Sequence, residues 1–244
     1  MKSNHQLQIF KDTAELSNHA ANAFIEIASH AIAQRGRFLV ALSGGNTPMR
    51  LYDLLGNQFQ NKVDWKQVHF FWGDERCVPV DDAGNSYGQA KNIFLDKVNA
   101  INIHRIKSDL KPADAAIDFA NTLKVFSEPP LEWPRFDLVL LGMGDDGHTA
   151  SLFPGSPVEV DSPTLAVTAN YQDRPANRVT LTQNVFNDAH NIFFLVTGKS
   201  KAETLLNVLN GEYKPELYPA QRINPHDGKV IWFVDEAAAS QIKN

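Results

Sequence analysis

The sequence predicts an α/β fold built on a mainly parallel sheet with helices on both faces. Five short apolar runs point that way: RFLVAL (37–42), VHFFW (68–72), FDLVLL (136–141), NIFFLVT (191–197) and KVIWFV (229–234). Near-continuous apolar strands are what a parallel sheet buried on both faces requires. Stretches of helical periodicity separate the runs, as crossover connections demand. Finally, most loops after these runs carry glycine, hydroxyl or charged residues: SGGNTP, GDERCVP, GMGDDGH and GKSK. In such sheets ligands bind beyond the carboxyl ends of the strands, so segments distant in sequence meet along one edge.

The elements follow in order. From Asp12 to Ile32, Leu16, Ala20, Ala23, Phe24, Ile27 and Ala31 recur at helical spacing. Asp12, with Glu15 three residues on, has the form of a capping box. After the strand at 37–42, Thr47 as cap and Pro48 at the first helical position open a second helix. The strand at 68–72 leads into a Gly- and Asp-rich loop reaching about Ser86, then a helix over 86–98. A short strand near His104–Ile106 and a helix over 112–126 precede the strand at 136–141. Weak strands are expected near 164–168 and 178–182. The strand at 191–197 leads into a helix over 199–209, and the strand at 229–234 into a final short helix. No repeat, low-complexity tract or linker interrupts the series, so residues 1–244 are expected to form a single domain.

Bulk properties narrow the function. The chain has 244 residues, 43% hydrophobic and 21% charged, an ordinary globular composition. A net charge of −5 provides no global field for nucleic acid, so an anionic ligand must be caught by a local cluster of cations. The single cysteine, Cys77, excludes a disulfide within the chain. The first residues, MKSNHQLQIF, hold no apolar core of signal-peptide length, and no run approaches the ~18 apolar residues of a membrane span. A cytoplasmic protein is expected.

The glycine-rich turns invite nucleotide readings that do not hold. Gly142, Gly144 and Gly147 match G-x-G-x-x-G after a strand, but Asp145 and Asp146 would face a pyrophosphate as like charges. The next weak strand ends in Thr168-Ala169-Asn170, with no acid for a ribose. Gly198-Lys199-Ser200 resembles the end of a P-loop, but the motif needs glycine where Phe193 stands. Lys199 and Lys201 still open a helix, where they could meet an anion or simply be solvated.

Three other segments carry candidate chemistry. Ser43-Gly44-Gly45 closes a strand before a helix N-terminus, which suits an anion. It also reads as a bare tight turn, or as a serine nucleophile one residue short of G-x-S-x-G. Asp74, Glu75 and Arg76 follow a strand directly and would by default form a surface salt-bridge cluster; Arg178 would by default be an exposed strand-end arginine. His148 lies two residues from Asp146 in a glycine turn at the expected ligand edge, where a carboxylate can orient an imidazole and raise its basicity. One histidine among scattered acids does not make a transition-metal pattern.

LSGGNTP (42–48), WGDERCVP (72–79), SYGQAK (86–91), FDLVLLGMGDDGHTASLFPGS (136–156), RVTLT (178–182), VTGKSKAETLLNVL (196–209) and PAQRINPHDGKVIWFVDEAAA (219–239) together resemble the 6-phosphogluconolactonase family. The order and spacing match over nearly the whole chain, and DGHTASLFP is the most specific block. The resemblance implies a modified Rossmann-like fold, shared with glucosamine-6-phosphate deaminase and ribose-5-phosphate isomerase. It implies hydrolysis of 6-phospho-D-glucono-1,5-lactone in the oxidative pentose phosphate pathway, with no metal or organic cofactor. The nearest rival is the deaminase, whose related loop continues to a glutamate that supports the histidine; here Phe153 stands at the corresponding position. A catalytically silent sugar-phosphate sensor is the alternative of a different class.

The resemblance places phosphate binding on Ser43, Gly44, Gly45, Arg178 and Lys201. Catalytic roles fall on His148 as general base, Asp146 as its orienting partner, Arg76 at the developing oxyanion and Asp74 at the sugar hydroxyls. The expected partner is a small phosphosugar lactone, with no nucleic acid and no membrane, acting on a monomer or weak homo-oligomer.

Overall fold

The structure is a computed structural model that describes residues 4–171 and 175–242. In chain order the strands are β1 (His5–Phe10), β2 (Phe38–Leu42), β3 (Val68–Trp72), β4 (Asp74–Arg76), β5 (Asn102–Ile103), β6 (Leu138–Leu141), β7 (Thr164–Thr168), β8 (Asn177–Leu181), β9 (Asn191–Val196) and β10 (Lys229–Asp235). The α-helices are α1 (Thr13–Arg35), α2 (Asn46–Asn57), α3 (Ser86–Ala90), α4 (Pro112–Lys124), α5 (Gln183–Asn187) and α6 (Ala202–Asn210). Seven strands form one sheet in the order β1-β10-β9-β6-β2-β3-β5, with every neighbouring pair parallel. The fold is thus the α/β class read from the apolar runs. Every residue of β2 and β6 is buried, which is why both read as unbroken apolar runs.

The winding reverses at the middle of the sheet. From β2 the chain steps outward through β3 to β5, then returns to the other side of β2 with β6 and steps outward through β9 and β10. The crevice between the ends of β2 and β6 is therefore the switch point where α/β sheets bind ligands. At the opposite end, the buried Asp137 carboxylate accepts the Leu39 N–H (2.7 Å) and pairs with Arg35 of α1, which ties β2, β6 and α1 together below the crevice. Stacked Phe194 and Trp232 (3.8 Å) and edge-on Phe24 and Phe38 (5.3 Å) fill the two faces. Deleting one such buried ring typically costs about 3–5 kcal/mol.

Several elements depart from the expectation. β1 was not foreseen, because HQLQIF mixes polar and apolar residues at a partly exposed sheet edge. GDERCVP is not all loop: Asp74–Arg76 pairs antiparallel with β8, which pairs with β7, giving a separate three-stranded sheet. The helix expected over 86–98 is α3 followed by a π-helical turn, Lys91–Leu95. The 199–209 helix starts as a 3₁₀ turn, Lys199–Lys201. The short strand expected at 104–106 lies at Asn102–Ile103, although the His104 N–H still reaches the Phe70 carbonyl (2.8 Å). After β10 the chain makes turns rather than a helix. α2 starts two residues before Pro48, with Gly45 as its cap, and the Thr47 hydroxyl instead meets that of Thr197 (3.0 Å). Asp12 does cap α1, accepting from Ala14 N and Glu15 N, while Glu15 reaches back to Lys11 N (2.8 Å). Among the described residues no helix is long and apolar enough to cross a membrane.

Candidate active site

A cleft of ≈ 270 Å³ opens at the carboxyl ends of β2 and β6. Ser43, Gly44, Gly45, Asp74, Arg76, His148, Arg178 and Lys201 all line it. Asp146 does not line it but sits behind His148 and bonds to it. The crevice beside Trp232 and the depression around His226 show no comparable convergence of charged groups.

The loop after β2 needs two glycines for two reasons. Gly45 adopts φ +94°, which favours glycine. Gly44 is constrained by space: a Cβ there would run into Ser86 Oγ. The loop is anchored from below by the fully buried Tyr52, whose hydroxyl accepts from Ser43 N (3.0 Å) and donates to the Ser43 carbonyl (2.8 Å). Ser43 Oγ donates to the Gly44 carbonyl (3.2 Å), not to an imidazole, so the nucleophile reading finds no base there.

β4 uses the two-residue period of a strand. Asp74 and Arg76 face the cleft, and Glu75 between them points inward. None of the three is the surface cluster that the sequence suggested; all are buried, as is Arg178 at 2% exposure. The register sets Arg76 directly opposite Arg178. Like charges placed so are unfavourable, and buried charge requires compensation. Two guanidinium groups at one cleft wall are therefore an arrangement that an anion would stabilise. Arg76 Nη1 donates to the Gly84 carbonyl (2.6 Å), and Arg178 lies over the Phe153 ring (5.3 Å). Asp74 Oδ2 accepts from Ser151 Oγ (2.6 Å), which fixes its second oxygen relative to the cleft.

The turn after β6 folds the imidazole back on itself. Gly144 N–H donates to the His148 carbonyl (2.9 Å), Gly147 N–H donates to the Gly144 carbonyl (3.1 Å), and Gly147 adopts φ +82°. A Cβ at Gly144 would strike the His148 ring. Gly144 thus makes room for an imidazole, and Gly147 for Tyr218. Asp146 Oδ1 bonds both His148 Nδ1 (2.6 Å) and the His148 N–H (3.1 Å). Burial pushes the Asp146 carboxyl upward, but the hydrogen bonds and charge of His148 outweigh it and hold the group below its ordinary value. With Nδ1 engaged, Nε2 is the ring nitrogen left for chemistry. Phe153 (4.5 Å) and Tyr171 (4.6 Å, edge-on) flank the ring.

Residues beyond the candidate set complete the site. Asp145 pairs with Lys201 and meets Ser200 Oγ (3.2 Å), so the two acids of the turn divide between the lysine and the histidine. Lys199 is exposed and does not line the cleft. Tyr171 and Thr197 line the cleft without any local sequence signal. Glu75 accepts three backbone N–H groups, and burial still pushes its carboxyl up to about 7. Cys77 is half-buried, and burial followed by the Glu75 charge pushes its thiol up, the opposite of an activated nucleophile. Among the described residues no group of three or more His, Cys, Asp or Glu is placed to hold a metal ion.

Comparison with known proteins identifies the family of the chain. Residues 11–232 match the family described as glucosamine-6-phosphate isomerases/6-phosphogluconolactonase. A 6-phosphogluconolactonase of Synechocystis is 40% identical over 217 residues, covering 87% of this chain and 88% of its own length. One from Nostoc is 35% identical, covering 97% and 98%. The solved structure of 6-phosphogluconolactonase from Trypanosoma cruzi is 26% identical with a TM-score of 0.88, over 100% of this chain and 99% of that one. With the match spanning most of the sequence and the whole cleft, the chain belongs to the glucosamine-6-phosphate isomerase/6-phosphogluconolactonase family.

Proposed function

We propose that the chain hydrolyses 6-phospho-D-glucono-1,5-lactone to 6-phospho-D-gluconate, the lactone step of the oxidative pentose phosphate pathway. The observation that carries this reading is one cleft lined by His148, with Asp146 bonded to it from behind, and by Arg76, Arg178 and Lys201. The names of the relatives point the same way.

The substrate is a cyclic ester with a phosphate dianion at its far end. Ser43, the Gly44 and Gly45 amides, Arg178 and Lys201 hold the phosphate, with the phosphate taking over from Asp145 part of the charge of Lys201. That remote grip fixes the ring and lowers the entropic part of the barrier. His148 Nε2 takes a proton from water as the oxygen adds to the lactone carbonyl, and Asp146 steadies the imidazolium that forms. Arg76 faces the developing oxyanion. As the ring C–O bond breaks, His148 returns the proton to the ring oxygen, and the open-chain acid leaves. Asp74 orients a sugar hydroxyl.

The deaminase reading lacks support at one position. Phe153, which touches the imidazole, offers no carboxylate where that chemistry would place one. The test is acid release from freshly made 6-phosphogluconolactone, with spontaneous hydrolysis subtracted. His148→Ala is expected to lower turnover by ~10²–10⁴-fold with substrate affinity nearly intact. No acceleration by the unaltered chain would leave a sugar-phosphate sensor; near-normal turnover in the variant would remove the general base.

A further inference from the structure

We infer that Glu75 is a positioning residue for Arg76, acting as a buried clasp that joins the cleft arginine to the start of α3, beside the anion loop. The inference rests on the role of Arg76 in the proposed lactone hydrolysis. Glu75 is 1% exposed and does not itself line the cleft. Its Oε1 accepts the Arg76 N–H and the Ser86 N–H, both at 2.8 Å, and its Oε2 accepts the Tyr87 N–H, also at 2.8 Å. One carboxylate therefore holds β4 against the start of α3, eleven residues further on. The intervening loop folds back, so that Gly84 O receives Arg76 Nη1 (2.6 Å). The same anchoring sets Ser86, whose buried Oγ lies against Gly44 and has no hydrogen-bond partner among the described residues. Arg76 Cζ stands 3.8 Å from the position a Gly44 Cβ would take. The guanidinium, the Ser86 hydroxyl and the anion loop thus converge on one point, and all but the loop are set by Glu75.

Three N–H donors need three acceptor sites in one plane, which the two oxygens of a carboxyl group provide and an amide does not. In Glu75→Gln one N–H faces an NH₂ donor, the clasp opens on that side, and Arg76 shifts. A misplacement of about 1 Å costs roughly 10²-fold in turnover.

The experiment is a double-mutant cycle on acid release, with Glu75→Gln, Arg76→Ala and the pair, each checked for folding by thermal unfolding. The expected result is a kcat loss in Glu75→Gln with KM for the phosphorylated lactone nearly unchanged, and no further kcat loss when the change is added to Arg76→Ala. Should Glu75→Gln not yield folded protein, Glu75→Asp carries the same cycle, because it keeps the charge and withdraws the carboxylate by one methylene. Full kcat in the folded Glu75 variant, or a loss that adds in full to Arg76→Ala, overturns the positioning role. Full kcat in Arg76→Ala overturns instead the oxyanion role on which it rests.

Discussion

Asp146→Asn separates charge from geometry at the candidate base. As His148 takes a proton it becomes a cation, with Asp146 Oδ1 2.6 Å from its Nδ1. Asparagine keeps an oxygen at that place and removes the charge. Hydrogen bonds to a charged group contribute about 1.5–3 kcal/mol and neutral ones about 0.5–1.5. The difference is about 1–2 kcal/mol, which at ~1.4 kcal/mol per tenfold lowers turnover by roughly 5–30-fold. The structure also sets the ceiling. Oδ1 accepts the His148 backbone N–H (3.1 Å) as well, so a flipped amide would set its NH₂ against a donor. The oxygen stays inward and the Nδ1–H tautomer survives, which avoids the ~10⁴-fold loss that a wrong tautomer causes. The assay is acid release from 6-phosphogluconolactone, with kcat and KM resolved. Unchanged turnover would refute the charge contribution, and a loss near ~10⁴-fold would refute the tautomer reasoning.

Arg178→Ala or Lys201→Ala should raise KM for the phosphorylated lactone and erode the preference for it over glucono-lactone; variants that keep that preference would move the phosphate elsewhere. Gly44→Ala forces a Cβ onto Ser86 Oγ and should destabilise the fold by about 1–3 kcal/mol, with Ser86→Gly restoring much of the loss in thermal unfolding. Burial, then the neighbouring His69, brings the His104 imidazole down to about 4 from 6.5. The unfolded chain therefore binds the proton more readily, so this contribution to stability is complete above about pH 6.5 and lost as pH falls through that value toward 4. The melting temperature should drop over that window, and less steeply in His104→Phe; an equal slope in both would refute the linkage.

Much of the frame was legible because parallel strands buried on both faces must be apolar throughout. β2, β3, β6, β9 and β10 each appear as a run, and the segments that follow β2, β3, β6 and β9 hold the candidate residues other than Arg178, which lies on β8. The pairing of Asp146 with His148 was also local, since two residues in a glycine turn can meet without help from the rest of the chain. β1 and β4 were not legible, nor was the pairing that joins β4 to the expected strands β7 and β8 in a second sheet. A half-exposed edge strand and a three-residue strand show no period long enough to read, and both exist only through pairing with distant partners.

The sequence by itself determined the α/β class, the edge of the sheet that carries ligands, and the residue types available there. The tertiary structure decided which of them face one another. Register sets Arg76 beside Arg178, strand alternation turns Glu75 inward between two cleft residues, and the approach of Lys201 to the turn after β6 assigns Asp145 to the lysine rather than to the histidine. Strand pairing, burial and the approach of one loop to another are long-range relations, and short windows of residue chemistry do not encode the distances that make them.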